Sequence, residues 1–155
     1  MTAKQHANNW PQAKKDDSMK YLREYTEEAT TAALDKAGAF FAFSNQQLDE
    51  KKREGVQYVN LGAGLICPKA NADQLAMDLD AALDSGIAAD LAENGRKGVI
   101  HRELGNHEYS YTYDISDTVS ALGGYGITAE DVQSEARAYL DAFEKWEDEQ
   151  EAKTA

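Results

Sequence analysis

Apolar and polar residues change period several times along the chain, and each change marks an element. From Ser18, an N-cap residue type, Leu22, Tyr25, Ala29, Ala32 and Ala33 recur at helical spacing up to Gly38, a C-terminal signal. Ala39 to Phe43 is short, aromatic and bounded by Gly38 and Ser44, which predicts a buried strand. Ser44 and Gln47 have capping-box spacing and open a short charged helix, Asn45 to Glu54, that ends at Gly55. Val56 to Leu61 alternates in period two, and Gly62 and Gly64 mark a bulge or turn before Leu65 to Cys67 resumes extended structure, the pattern of a small hairpin.

After Pro68, Asn71 and Gln74 offer another cap. The helix that follows reaches about Asp84, with Leu75, Leu79, Ala82 and Leu83 on one side and Asp73, Asp80 and Asp84 on another. A weaker helical stretch, Ile87 to Glu93, ends at Asn94-Gly95, and a further helix runs from near Lys97 through His101 to about Asn106. Tyr109, Tyr111 and Tyr113 then alternate with Ser110, Thr112 and Asp114, which predicts a strand over 109–113. Ser116 caps a short helix to Leu122, broken by Gly123, Gly124 and Gly126. Thr128 and Asp131 start the last helix, whose inner face reads Val132, Ala136, Tyr139, Phe143 and Trp146. The sum is a mostly helical single α+β domain over 18–148, with a small antiparallel sheet of about three strands near 39–43, 56–67 and 109–113. Residues 1–17 are polar and aperiodic and are expected to form a flexible arm, with Trp10 as a docking point; 149–155 read as an acidic frayed tail.

Composition supports a folded chain. At 155 residues with 42% hydrophobic content, it can bury a proper core. The single cysteine, Cys67, excludes an intrachain disulfide and sits in an apolar run, so it reads as a buried thiol in a reducing cytoplasm. The amino-terminus lacks the apolar run of a signal peptide, and no stretch approaches the roughly 18 apolar residues of a membrane span.

Charge changes the picture most. The chain has 28 acidic and 16 basic side chains, net −12, but residues 1–23 hold five of the basic and only two of the acidic ones. The remainder therefore carries −15. Such a body repels nucleic acid and anionic membranes and attracts basic proteins over roughly a Debye length, about 8 Å in physiological salt. Asp73, Asp80 and Asp84 on one helix, with Asp131, Glu135, Glu144, Glu147, Asp148 and Glu151 on another, present carboxylates in rows. Rows at phosphate-like spacing would engage a Lys- and Arg-rich groove as a polynucleotide does.

Other constellations are weaker. His101, Glu103, His107 and Glu108 could share helix faces in pairs around a divalent metal, with Tyr109 or Tyr111 as an auxiliary acid, yet neither the zincin nor the di-iron spacing is present. Gly62-Ala63-Gly64 lacks the third glycine of a dinucleotide loop, and Gly123-Gly124-Tyr125-Gly126 lacks the Lys of a phosphate loop. No catalytic residue, metal ligand or cofactor is assigned.

The segments Gly38 to Ser44, Gly64 to Lys69, Asn106-His107-Glu108 and Tyr125 to Thr128 resemble those of small uncharacterised acidic proteins of phages and mobile genetic elements, over roughly residues 38–135. The resemblance transfers no activity and no residue role. It implies a setting in which small acidic proteins resemble inhibitors of host restriction or CRISPR defence. The expected function is therefore non-enzymatic binding of a basic partner surface, through Asp73, Asp80, Asp84, Asp131, Glu135, Glu144, Glu147 and Asp148, with exposed aromatics such as Trp10, Tyr125 or Trp146 as anchors. Two alternatives stand beside it: a metal-dependent enzyme using the His101/Glu103/His107/Glu108 cluster, and a structural or assembly factor.

Overall fold

The computed structural model describes residues 19–154; the expected arm 1–17, Trp10 and the Ser18 cap lie outside the described residues. The fold is mostly helical α+β with a three-stranded antiparallel sheet. In order come α1 (Leu22–Ala37), β1 (Phe40–Phe41), α2 (Asn45–Lys51), β2 (Tyr58–Asn60), β3 (Leu65–Pro68), a 3₁₀ turn (Lys69–Asn71) and α3 (Ala72–Asn106). A single turn, α4 (Tyr109–Thr112), leads to α5 (Ser116–Ala121), a second 3₁₀ turn (Gly123–Tyr125) and α6 (Ala129–Thr154). No described helix is long and apolar enough to cross a membrane. The chain divides into two compact units, residues 22–86 and the remainder.

In the unit 22–86, β3 lies between β1 and β2, pairing Phe40 with Ile66, Phe41 with Leu65 and Val59 with Cys67. Both flanking strands precede β3 in sequence, so the hairpin supplies two strands and the aromatic run the third. Gly62, Ala63 and Gly64 all take positive φ in the β2–β3 turn, the conformation for which glycine is favoured. The Ser44 hydroxyl accepts from the Gln47 amide at 3.2 Å, and the Gln47 side chain accepts from the Phe43 amide at 2.7 Å, so the cap predicted for α2 forms reciprocally. Cys67, Leu75, Ala33 and Ala37 form the core here, with Leu34, Val59 and Leu79 against them. On α1 Ala33 and Ala37 are buried and Leu22, Thr26 and Thr30 half-buried, while Ala29 and Ala32 face solvent. Leu83, expected inside, is also exposed.

The remaining unit takes its core from α3 after Ile87 and from α6. Val132, Ala136, Tyr139, Phe143 and Trp146 are buried as their spacing predicts. Their rings join a continuous aromatic set: Tyr109 to Tyr139 at 6.2 Å, Tyr139 to Phe143 at 6.0 Å, and Phe143 to Trp146 at 5.7 Å.

Three expectations are corrected. Residues 109–113 are not a strand but the helical turn α4, flanked by Glu108 and Tyr113 in left-handed conformation. The tyrosines at period two also satisfy a helix: Tyr109 and Tyr113 share a face with rings 6.1 Å apart, and Tyr111 turns to Phe143 at 6.2 Å. Second, the acidic tail is helical, since α6 continues to Thr154. Third, the helices expected to 84 and over 87–93 are one, running through Gly86; the only non-helical residue within α3 is Gly95, at φ 72° and ψ 164°.

Gly86 is buried because α1 passes close by. A Cβ there would collide with the Thr26 side chain. Ala normally favours a helix interior over Gly by about 1 kcal/mol, but overpacking costs about 1–3 kcal/mol. Gly86→Ala is therefore expected to lower stability in urea unfolding. Thr26→Ser, which removes the obstructing methyl and keeps the hydroxyl that donates to the Arg23 carbonyl, should recover most of the loss.

Candidate functional site

The segment 99–105 is buried at every position, a helix without a wet face, yet it contains His101, Arg102 and Glu103. Each must therefore find a partner inside. The Arg102 guanidinium donates to Asp90 Oδ1 at 2.8 Å and to the Lys20 carbonyl at 3.0 Å, and lies 5.8 Å from the Tyr21 ring centroid. Asp90, itself fully buried, also accepts from Asn94 at 2.7 Å and from the Tyr125 hydroxyl at 2.6 Å. Burial works against the Arg102 charge, but the Asp90 hydrogen bond and the Glu103 and Asp90 carboxylates outweigh it and hold the pKa above the ordinary arginine value. Burial, then the Asp90 bond, raises the Tyr125 hydroxyl well above its usual range. Both side chains keep their protons across physiological pH.

His101 Nε2 lies 2.8 Å from Glu135 Oε2. A carboxylate only accepts, so Nε2 carries the proton. Burial depresses the His101 pKa, against the opposing pull of Glu135 and with Lys97 adding to the depression, so the ring is neutral at pH 7. Glu103 turns the other way, with Arg102 at 3.4 Å and His107 at 3.8 Å. In the suggested His101/Glu103/His107/Glu108 metal cluster, His101 thus faces Glu135 while Glu103 faces Arg102 and His107. Among the described residues no three His, Cys, Asp or Glu side chains gather in a way that could hold a metal.

The acidic residues singled out from the sequence fall into three sets. Asp131 and Glu135 serve the fold. Asp131 accepts from the Thr128 amide at 2.9 Å and pairs with Arg96 at 2.8 Å, and the Thr128 bonds hold its carboxyl below the ordinary range. Asp73, Asp80 and Asp84 are exposed along one face of α3, in the unit 22–86. Glu144 and Asp148 are exposed on the outer face of α6, and Glu147 is half-buried there.

This last set borders a cleft of about 340 Å³, lined by Ser110, Tyr113, Arg137, Leu140, Asp141, Phe143, Glu144 and Glu147. Arg137 pairs with Asp141 at 3.1 Å, both solvated. Tyr111 and Tyr113 expose their rings beside it. The Tyr111 hydroxyl is held above its usual range, by partial burial first and then by Glu147 and Glu108, the mark of a locally negative field. Carboxylates beside exposed aromatic faces suit an ammonium or guanidinium group. Tyr125 and Trp146, expected as exposed anchors, are instead buried in the core; the sequence reading passed over Asp141 and Tyr113 and gave Tyr111 only as an auxiliary acid. Asp141 was available from spacing alone, since 141, 144, 148 and 151 continue one helical stripe.

The fold and cleft define an acidic, mostly helical α+β protein with carboxylates and exposed tyrosine rings along one helix face. The chain belongs to a family of unknown function, DUF7659, which matches residues 22–148. No curated protein and no solved structure matches it.

Two outcomes follow from the buried network. Asp90→Ala removes the closest countercharge of Arg102, leaving Glu103 at 3.4 Å, and should cost about 3 kcal/mol in chemical unfolding, the low end of the scale for a broken buried pair. For His101, the unfolded ring takes up a proton near its ordinary pKa of about 6.5 while the folded ring stays neutral. Its contribution is therefore full above that value and is lost as pH falls through the depressed folded pKa. Unfolding midpoints should drop over that window, and His101→Gln should flatten the decline.

Proposed function

We propose that this protein is a non-enzymatic acidic binder that engages a basic, nucleic-acid-binding partner through the outer face of α6 and its aromatic cleft. The observation that carries this reading is the stripe Asp141, Glu144, Asp148 and Glu151 running past the Tyr113 and Phe143 rings. Along a helix these carboxylates rise about 4.5–6 Å apart. A nucleic acid strand carries a phosphate every 3.4 Å or so along the axis. The stripe is the sparser array, so long-range attraction alone would not match a polynucleotide. The cleft then supplies short-range contact, receiving an Arg or Lys side chain between carboxylate and ring.

The resemblance to acidic phage and mobile-element proteins supports placing the partner among components of host restriction or CRISPR defence, with this chain acting in the cytoplasm as a nucleic-acid mimic. The row Asp73, Asp80 and Asp84 offers a second patch of the same sign.

An arginine-rich peptide of ten residues serves as a minimal probe. Its affinity should fall steeply between 50 and 200 mM salt, and Glu144→Lys with Asp148→Lys should weaken it by about tenfold or more, about 1.4 kcal/mol per decade. Affinity indifferent to both salt and charge reversal would remove the reading. With the natural host, the captured partner should be a nucleic-acid-binding protein that duplex DNA displaces.

A further inference from the structure

The unit 22–86 contains a feature of opposite sign. Its six Lys and Arg residues are outnumbered by eleven Asp and Glu. Three of the six, Lys36, Lys51 and Arg53, nonetheless line one cleft of about 580 Å³, where Asp35 is the single acidic member of the lining. That volume lies within the roughly 300–1,000 Å³ of small-molecule sites.

The walls are built by fixed contacts. Lys51 Nζ donates to the Phe41 carbonyl at 2.7 Å, which ties the end of α2 to the edge strand β1. Asn71 Nδ2 donates to the Ala37 carbonyl at 3.0 Å, which seats the start of α3 against the end of α1. The Arg53 amide donates to the Tyr58 hydroxyl oxygen at 2.9 Å, so the phenol serves there as acceptor and keeps its own proton to donate. Phe40 and Tyr58 meet edge to face at 5.6 Å and present an aromatic wall, continued by Val56 and Pro68. The Arg53 guanidinium makes no ion pair among the described residues, in a unit where carboxylates are abundant.

We propose that this cleft binds a small organic anion: a planar ring bearing a phosphate or carboxylate group. The ring lies against Phe40, Tyr58 and Val56. The anionic group takes the bidentate fork of Arg53, with the Lys51 ammonium and the Tyr58 hydroxyl as further donors. The volume exceeds what a bare oxyanion fills, and the aromatic wall gives inorganic phosphate nothing to contact, so the ring is part of the recognised chemistry. This site is independent of the cation-binding face of α6.

Titration of the full-length ¹⁵N-labelled chain with adenosine monophosphate, benzoate and inorganic phosphate, each alone, tests it. Adenosine monophosphate or benzoate should shift amides within 35–40, 51–58 and 68–71 and should bind at least tenfold more tightly than inorganic phosphate. Arg53→Ala, at an exposed side chain, should weaken binding by about tenfold, and Val56→Trp, which fills the cleft with Arg53 intact, should abolish it. Absence of shifts in those segments, inorganic phosphate binding as tightly as the ring compounds, or wild-type affinity in either variant would overturn the proposal.

Discussion

A helix that is buried all round and still carries an arginine imposes the central constraint on the unit that contains α6. Arg102 is the one Lys or Arg buried among the described residues. Removing a guanidinium from water costs several kcal/mol unless its charge and donors are met. Asp90, one helical stretch earlier on α3, supplies the countercharge, and Tyr125 and Asn94 complete the carboxylate's shell. The consequence reaches well beyond one ion pair. Lys20 and Tyr21 are drawn onto Arg102, so the residues just ahead of α1 are positioned by a side chain eighty residues later. Tyr125 places the glycine-rich turn between α5 and α6 by the same means.

That constraint also explains why the acidic surplus is not all available for partners. A carboxylate near the core is recruited as a hydrogen-bond acceptor before it can act as a surface charge. Glu135 sits opposite His101 and fixes its tautomer, and Asp131 satisfies the first turn of α6 and meets Arg96. From Asp141 onward, alongside the aromatic set, the acids turn outward as a stripe. Net charge counts all of these equally, whereas the structure separates those that hold the chain together from those that face solvent.

Much of the fold was legible in the residues. The Ser44 and Thr128 caps, the Gly62-Ala63-Gly64 turn, the Gly95 break and the inner face of α6 each rest on local stereochemistry or a long clear period. What failed were features decided by distant packing. Tyr109, Tyr111 and Tyr113 fit period two as well as a helical turn, and only the rings of Tyr139 and Phe143, some thirty residues away, select the turn. The pattern splits one helix between Asp84 and Ile87, but the chain stays helical through Gly86, whose missing side chain admits Thr26 of α1. The candidate site was legible in part. Glu144, Glu147 and Asp148 follow from helical spacing, but the aromatic wall beside them depends on α4 being helical, and so it was lost with that element. The basic trio at 51–53 reads as solvated surface; that Lys51 and Arg53 share a cleft with Phe40 and Tyr58 depends on how α2 folds back onto the sheet.

The two clefts respond differently to the field of the chain. A cation approaching α6 is drawn by the net charge of −12 as well as by the local carboxylates, so attraction begins at about a Debye length. An anion approaching Lys51 and Arg53 meets the opposite long-range sign and gains only at contact, where charge-assisted hydrogen bonds and ring stacking act over a few ångströms. Salt screens the first effect more than the second, because long-range attraction acts across solvent while hydrogen bonds and ring contacts act at touching distance. On the proposed function, encounter with a basic partner would be fast and salt-sensitive, whereas at the proposed anion site selection of a ring-bearing anion would be set by shape. A strongly acidic protein can thus keep an anion site without filling it indiscriminately, since the surrounding carboxylates repel every anion and the cleft compensates only those that also fit its aromatic wall.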